Sequence, residues 1–88
     1  MNRDTLDEYL QSIGESVLLA DGFDEAMIGV SQRMNEPLLA VYSYDKMIDV
    51  LIERDGLDWE EATEYLDFNV IGAWVGEKTP IIVMSIVA

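Results

Sequence analysis

A large excess of negative charge coexists in this chain with enough apolar residues to build a core. The 88 residues carry 18 Asp and Glu against 5 Lys and Arg, which gives a formal net charge of −13, and half of them are hydrophobic. Disordered acidic segments lack aliphatic and aromatic side chains and so bury too little apolar surface to fold. The composition therefore predicts one small folded domain, residues 1–88, with an acidic surface.

The chain contains neither cysteine nor histidine. It therefore has no disulfide, no thiolate metal site and no cysteine nucleophile, and it lacks the commonest general base and transition-metal ligand. The Asp-Gly pairs at 21–22 and 55–56 bring carboxylates to turns, but neither matches the twelve-residue EF-hand pattern. We therefore expect a protein that is not an enzyme and that has no metal site and no cofactor.

Apolar residues recur at intervals of three and four in three segments, which are predicted to be helices: 4–13, 44–54 and 58–73. Ser43 stands at the N-cap position of the second helix. Asp58 stands at that of the third, where Glu61 completes a capping box. Tyr44 and Trp59 continue the apolar stripes of these two helices, so we expect both in the core.

Alternating and β-branched residues predict the strands. The segments 25–32 and 38–43 are joined by a turn at 33–37, which predicts a β-hairpin over 25–43. A terminal β-branched run is expected to add a strand at 80–87, and 16–20 is a candidate for a further short strand. The predicted fold class is α+β, a small domain with an antiparallel sheet of about three strands packed against three helices.

Two strings of the sequence, ADGFDEAMIGV and VYSYDKMIDVLIERDGLDWEEATEYLDFNVIGAWVGEKTP, carry a resemblance. Together with the stretch between them, residues from about 20 to 82 resemble a group of small acidic hypothetical proteins encoded by tailed phages and by some bacteria. The strings ERDG, EEA and FNVIGAWVGE are its most specific parts. The resemblance implies a viral or mobile-element origin and transfers no activity, cofactor or site residue.

Acidic residues cluster between positions 53 and 67, where only Arg54 opposes them. Glu60, Glu64 and Asp67 follow the spacing i, i+4, i+7 and share one helix face. Like charges at this spacing destabilise a helix by a few tenths of a kcal/mol per pair, so the cluster is not simply an optimisation of helix stability. One interpretation is a solvated face that keeps the protein soluble, with acids favoured near the start of the helix. The other is a partner-binding surface made of Glu53, Asp55, Asp58, Glu60, Glu61, Glu64 and Asp67.

Residues 68–75 are apolar nearly all round the predicted helix, which is typical of a segment buried on several sides or of a subunit interface. We therefore predict a homo-oligomer, most simply a dimer. Its interface residues are Phe68, Ile71, Trp74 and Val75.

These features predict a non-enzymatic protein-binding module that docks on a basic host or viral protein, as a nucleic-acid mimic or inhibitor. The alternatives are a homo-oligomeric structural or accessory protein, and a protein that sequesters a small ligand or nucleotide if its scattered arginines converge. The net charge disfavours direct contact with nucleic acid or an anionic membrane. Without a signal-like N-terminus or an apolar span, we expect a cytoplasmic location, in the host cell if the protein is phage-encoded.

Overall fold

A three-stranded sheet and the helices that accompany it make up the structure, which confirms the predicted α+β class. The computed structural model describes residues 3–13, 17–73 and 76–86. In chain order the elements are helix α1 (Arg3–Ile13), a 3-10 turn (Asp24–Ala26), strand β1 (Met27–Ser31), strand β2 (Leu39–Ser43), helix α2 (Tyr44–Asp55), helix α3 (Trp59–Leu66), a π-helical turn (Asp67–Ile71) and strand β3 (Ile81–Val83).

Strands β1 and β2 form the predicted antiparallel hairpin, with a bulge between Met27 and Gly29. The connecting turn is closed by the Glu36 amide, which donates to the Arg33 carbonyl at 3.1 Å. Asn35 has φ 63° in this turn, a left-handed conformation that Asn tolerates better than most residues. The candidate strand at 16–20 is not one in its described part, since residues 17–20 are irregular.

The terminal strand joins the hairpin's sheet as predicted, but the sheet is mixed and not wholly antiparallel. Strand β3 lies beside β2 in parallel, with Val41 opposite Ile81 and Ser43 opposite Val83. Parallel neighbours require a long crossover, and here α2, α3 and the π-helical turn supply it. The apolar run at 80–87 predicts a strand without its direction. Only Ile81–Val83 pairs, residues 84–86 are described as irregular, and residue 87 lies outside the described part.

Helix α2 is delimited by its caps. The Ser43 hydroxyl accepts the Lys46 amide at 3.2 Å. At the other end Gly56 has φ 69°, and the Leu57 amide donates to the Leu51 carbonyl at 3.4 Å, which is the 6→1 bond of a Schellman motif. The helix therefore extends one residue beyond the predicted 44–54.

Helix α3 begins with the predicted capping box but does not continue to residue 73. The Glu61 amide donates to Asp58 at 2.8 Å, and the Glu61 carboxylate accepts the Asp58 amide at 3.2 Å. After Leu66 the coil widens into the π-helical turn, which ends before Gly72. A Cβ at Gly72 would lie 3.2 Å from the Asp67 carbonyl oxygen, so the chain turns back tightly here. A 3.6-residue pattern does not reveal such a change of pitch.

The core lies between α2, α3 and the inner face of the sheet. Tyr44 packs partly against it as expected, whereas Trp59 is 65% exposed, contrary to the prediction. Trp59 is the first residue of α3. The apolar stripe of the helix includes this residue, but the core does not extend as far. The largest fully buried side chains are Met27, Tyr42, Met47, Leu51 and Leu66.

Tyr42 connects the sheet to the irregular segment 17–20. Its side chain is fully buried in the middle strand, and its hydroxyl accepts a hydrogen bond from the Ala20 amide at 2.8 Å. A buried backbone amide without a partner costs free energy. The hydrogen bond therefore holds this segment against the sheet.

We predict that Tyr42→Phe lowers the free energy of unfolding by about 1–2 kcal/mol, because the Ala20 amide loses its acceptor. Urea denaturation measures the change. The matched control is Tyr44→Phe, since the Tyr44 hydroxyl makes no hydrogen bond with a described residue. It is expected to change stability by less than about 0.5 kcal/mol. Equal losses in the two variants would contradict a structural role for the Tyr42 hydroxyl.

Candidate functional site

The predicted partner-binding residues are exposed without exception and extend from the end of α2 along α3 into the π-helical turn. The structure nevertheless divides them by what their carboxylates already do. Asp58 and Glu61 bind each other's backbone amides in the capping box. Their oxygens are therefore partly committed to starting α3.

Asp55 is committed to a neighbouring cation. The Arg54 guanidinium donates to both carboxylate oxygens of Asp55, from Nε and from Nη2, each at 3.0 Å. These hydrogen bonds hold the pKa of Asp55 below its usual range. Because the pKa is lowered, the contribution of the pair is complete at neutral pH and is lost only as the pH falls through that lowered value.

Arg54 also ties α2 to the loop that precedes the 3-10 turn. Its Nη1 donates to the Gly22 carbonyl, and its guanidinium carbon lies 5.5 Å from the centre of the Phe23 ring. Glu53 lies beside it, at a shallow cavity of about 400 Å³ that Asp24, Glu25 and Arg54 also line. Glu53 therefore faces this loop and is separated from the acids of α3.

Gly22 is required here by conformation and by contact. It has φ 86°, and a Cβ at this position would lie 2.9 Å from the Arg54 Nη1. Gly56 has φ 69°, but a Cβ there would meet no atom within 4 Å. The two glycines thus share left-handed backbone strain and differ in the contact with Arg54.

We predict that Gly22→Ala destabilises the fold more than Gly56→Ala, which costs about 1 kcal/mol from backbone strain alone. The extra loss arises because the new methyl group displaces the Arg54 guanidinium from the Gly22 carbonyl. Combining each substitution with Arg54→Ala in a double-mutant cycle measures this coupling. The difference between the two glycines should vanish in the Arg54→Ala background. If it persists there, the contact with Arg54 is not its cause.

Glu60, Glu64 and Asp67 remain uncommitted, and we call them the acidic ridge. All three are exposed, and none makes a side-chain hydrogen bond or ion pair with a described residue. Phe68, which follows the ridge directly, is 83% exposed. The structure thus presents a line of free carboxylates with an aromatic side chain at its end.

An open groove of about 680 Å³ lies between the α3 side of the molecule, segment 18–23 and the chain at 79–82. We call it the apolar groove. Its polar groups are few, and two of them have partners. The Asn69 amide donates to the Tyr65 carbonyl at 3.1 Å, and the Thr79 hydroxyl donates to the Gly76 carbonyl at 2.6 Å. Its lining residues are Leu18, Leu19, Ala20, Asp21, Phe23, Tyr65, Asn69, Val70, Ile71, Ala73, Thr79, Pro80 and Ile82.

Sequence reasoning missed this groove. It is built from parts far apart in the chain, so no local spacing shows it. The nearest signals are two apolar segments. The run at 16–20 predicts a short strand, and the segment after Tyr65, which is apolar nearly all round, predicts a subunit interface. Of the predicted interface, Phe68 is exposed outside the groove and Ile71 lines it, while Trp74 and Val75 lie outside the described residues.

Arg33 and Arg54 do not converge on one pocket. Arg33 lies in the hairpin turn, where it pairs with Glu36 at 3.8 Å, whereas Arg54 lies at the end of α2 against Gly22. Among the described residues that line the apolar groove, none is basic. Within the described ranges, no three acidic side chains come together in a way that could hold a metal ion.

No helix in the described part of the chain has the length and hydropathy needed to cross a bilayer. Comparison with protein-family models, with curated proteins and with solved structures finds no match to this chain.

Proposed function

We propose that the protein is a non-enzymatic protein-binding module that docks its acidic ridge on a basic surface of another protein. The observation that carries this proposal is the uncommitted state of Glu60, Glu64 and Asp67, next to acids that cap a helix or bind Arg54. Like charges one turn apart oppose helix formation. Glu60 lies in the first turn of α3, where the helix dipole favours an acid, but Glu64 and Asp67 lie beyond that turn. Their unpaired carboxylates therefore favour a role outside the fold.

The rest of the molecule supports electrostatic docking. A net charge of −13 attracts basic surfaces over a distance and accelerates encounter with them. Phe68 and Trp59 are exposed aromatic side chains. Aromatic side chains contribute strongly to binding when a partner covers them. If the basic surface of the partner normally holds nucleic acid, docking blocks it by charge mimicry. Because the chain resembles phage-encoded proteins, we propose a bacterial cytoplasmic protein as the partner.

Neutralising the ridge tests this proposal. The variant Glu60→Gln, Glu64→Gln, Asp67→Asn removes three charges, so the net charge changes from −13 to −10. The control Asp7→Asn, Glu8→Gln, Asp49→Asn makes the same change at exposed sites on α1 and α2. Proteins captured from a bacterial lysate are identified by mass spectrometry and their affinities measured. We expect the ridge variant to bind about tenfold more weakly, since each exposed ion pair contributes about 0.5 kcal/mol.

Salt gives an independent measure. Binding should weaken steeply between about 0.1 M and 1 M salt, because the screening length falls from about 10 Å to about 3 Å. Partners that resist salt, or that bind the ridge variant and the control variant equally, would count against docking through the ridge.

A second candidate function is that of a homo-oligomeric structural protein. The observation that favours it is the position of β3 at the edge of the sheet, where β2 is its one neighbour among the described strands. An unpaired edge is a template for a strand of another chain. Apolar side chains continue beyond this edge strand, and Ile86 is 96% exposed. The exposed apolar residues of this segment are Ile81, Val83, Met84 and Ile86.

Light scattering over a wide range of protein concentrations tests this candidate. Pairing through β3 predicts a molar mass of twice 9.9 kDa at high concentration. Val83→Lys should restore the monomer, because charge at an edge strand opposes pairing. The control is Ile28→Lys on β1, the other edge of the sheet. A mass of 9.9 kDa at every concentration would exclude the oligomer.

A further inference from the structure

We propose that the apolar groove binds the apolar face of a basic amphipathic helix, whose Lys and Arg side chains face Asp21 in the groove lining and Glu64 of the acidic ridge at its border. The inference rests on the proposed function and names the kind of segment that the partner presents.

The lining is suited to apolar side chains. The groove is open, has a volume of about 680 Å³ and is lined mostly by apolar residues. Leu18 and Ile71 line it with 41% and 42% of their surface exposed, and Tyr65 is similarly exposed. These side chains keep substantial apolar surface in contact with water, and covering it on binding is favourable.

The polar groups of the lining favour a helix over an extended segment. An extended chain would bring unpaired amides and carbonyls into the groove, and each would need a partner. The Asn69 amide and the Thr79 hydroxyl already donate to neighbouring carbonyls. A helix pairs its own backbone groups and presents only side chains, which is the usual manner of binding in an apolar groove.

The charge around the groove selects basic segments. Asp21 is the charged residue among the groove's described lining residues, and it is exposed. Glu64 is exposed and immediately precedes the lining residue Tyr65, about 100° round α3 from it, so Glu64 is the ridge residue that borders the groove. A helix in the groove therefore meets the carboxylates of Asp21 and Glu64, which attract Lys and Arg and repel Asp and Glu.

A pair of synthetic peptides tests the inference on the unmodified protein. The probe is a helix of about 14 residues, about 21 Å long, with Leu at i, i+3, i+4, i+7 and Lys at most other positions. The control peptide keeps every Lys and replaces each Leu by Ser. Fluorescence anisotropy should show the Leu peptide binding at least about tenfold more tightly, because only it has apolar side chains to bury. Equal affinities would overturn the inference.

Substitutions locate the binding. Ile71→Ser in the groove should weaken the Leu peptide about fivefold and leave the Ser peptide unchanged. The matched control is Ile52→Ser, because Ile52 is 36% exposed on α2 and does not line the groove. Thermal unfolding verifies that each variant folds. Amide chemical shifts of the unmodified protein report the site without any substitution, and they should move at Leu18 and Ile71 but not at Ile52.

The ridge variant separates this inference from the proposed function. If it weakens both peptides while Ile71→Ser weakens neither, the ridge binds basic segments and the groove inference fails. If Ile71→Ser weakens the Leu peptide and the ridge variant has no effect, the proposed function fails, and with it the basic character that we assign to the occupant. Loss of peptide binding as the protein concentration rises would show a second copy in the groove and overturn the inference.

Discussion

The hydrogen bond between the Tyr42 hydroxyl and the Ala20 amide joins the central strand of the sheet to the segment 17–20. The core depends on the strand, and the groove depends on the segment. Tyr42 lies in the central strand, opposite Met27 on one side and Ile82 on the other. Its hydroxyl reaches an irregular segment that has no strand or helix to hold its own backbone. One wall of the apolar groove is therefore positioned by a buried side chain of the sheet.

The negative charge is accommodated at the surface, because no charged side chain among the described residues is buried. The acids differ in what they do there. Asp58 and Glu61 stabilise the start of α3, and Asp55 holds Arg54 where it can reach the loop at Gly22. Charge used in this way supports the fold. Charge without a partner beyond the first turn of α3, as at Glu64 and Asp67, opposes it slightly and is available to another molecule.

Helix α3 brings the structural and the proposed functional surfaces together. One side packs Ala62 and Leu66 into the core, and another presents Glu60 and Glu64 to solvent. Tyr65 faces the groove between these roles. The π-helical turn then places Asn69, Val70 and Ile71 in the lining of the groove. An acidic line and an apolar groove thus share one short segment.

Elements that depend on neighbouring residues follow from the sequence alone. Ser43, Asp58 and Glu61 act as the caps that their positions predict, and the hairpin closes where the turn residues stand. Helical spacing also identified the ridge, because residues three and four apart share a face.

Tertiary structure decided what depends on residues far apart in the chain. The parallel direction of β3 follows from where the two-helix crossover returns, which the β-branched run does not encode. The exposure of Trp59 depends on where the core ends, and the contact of Arg54 with the Gly22 carbonyl depends on a loop far away in the chain. The groove exists only where three distant segments meet, so no pattern of local spacing predicts it.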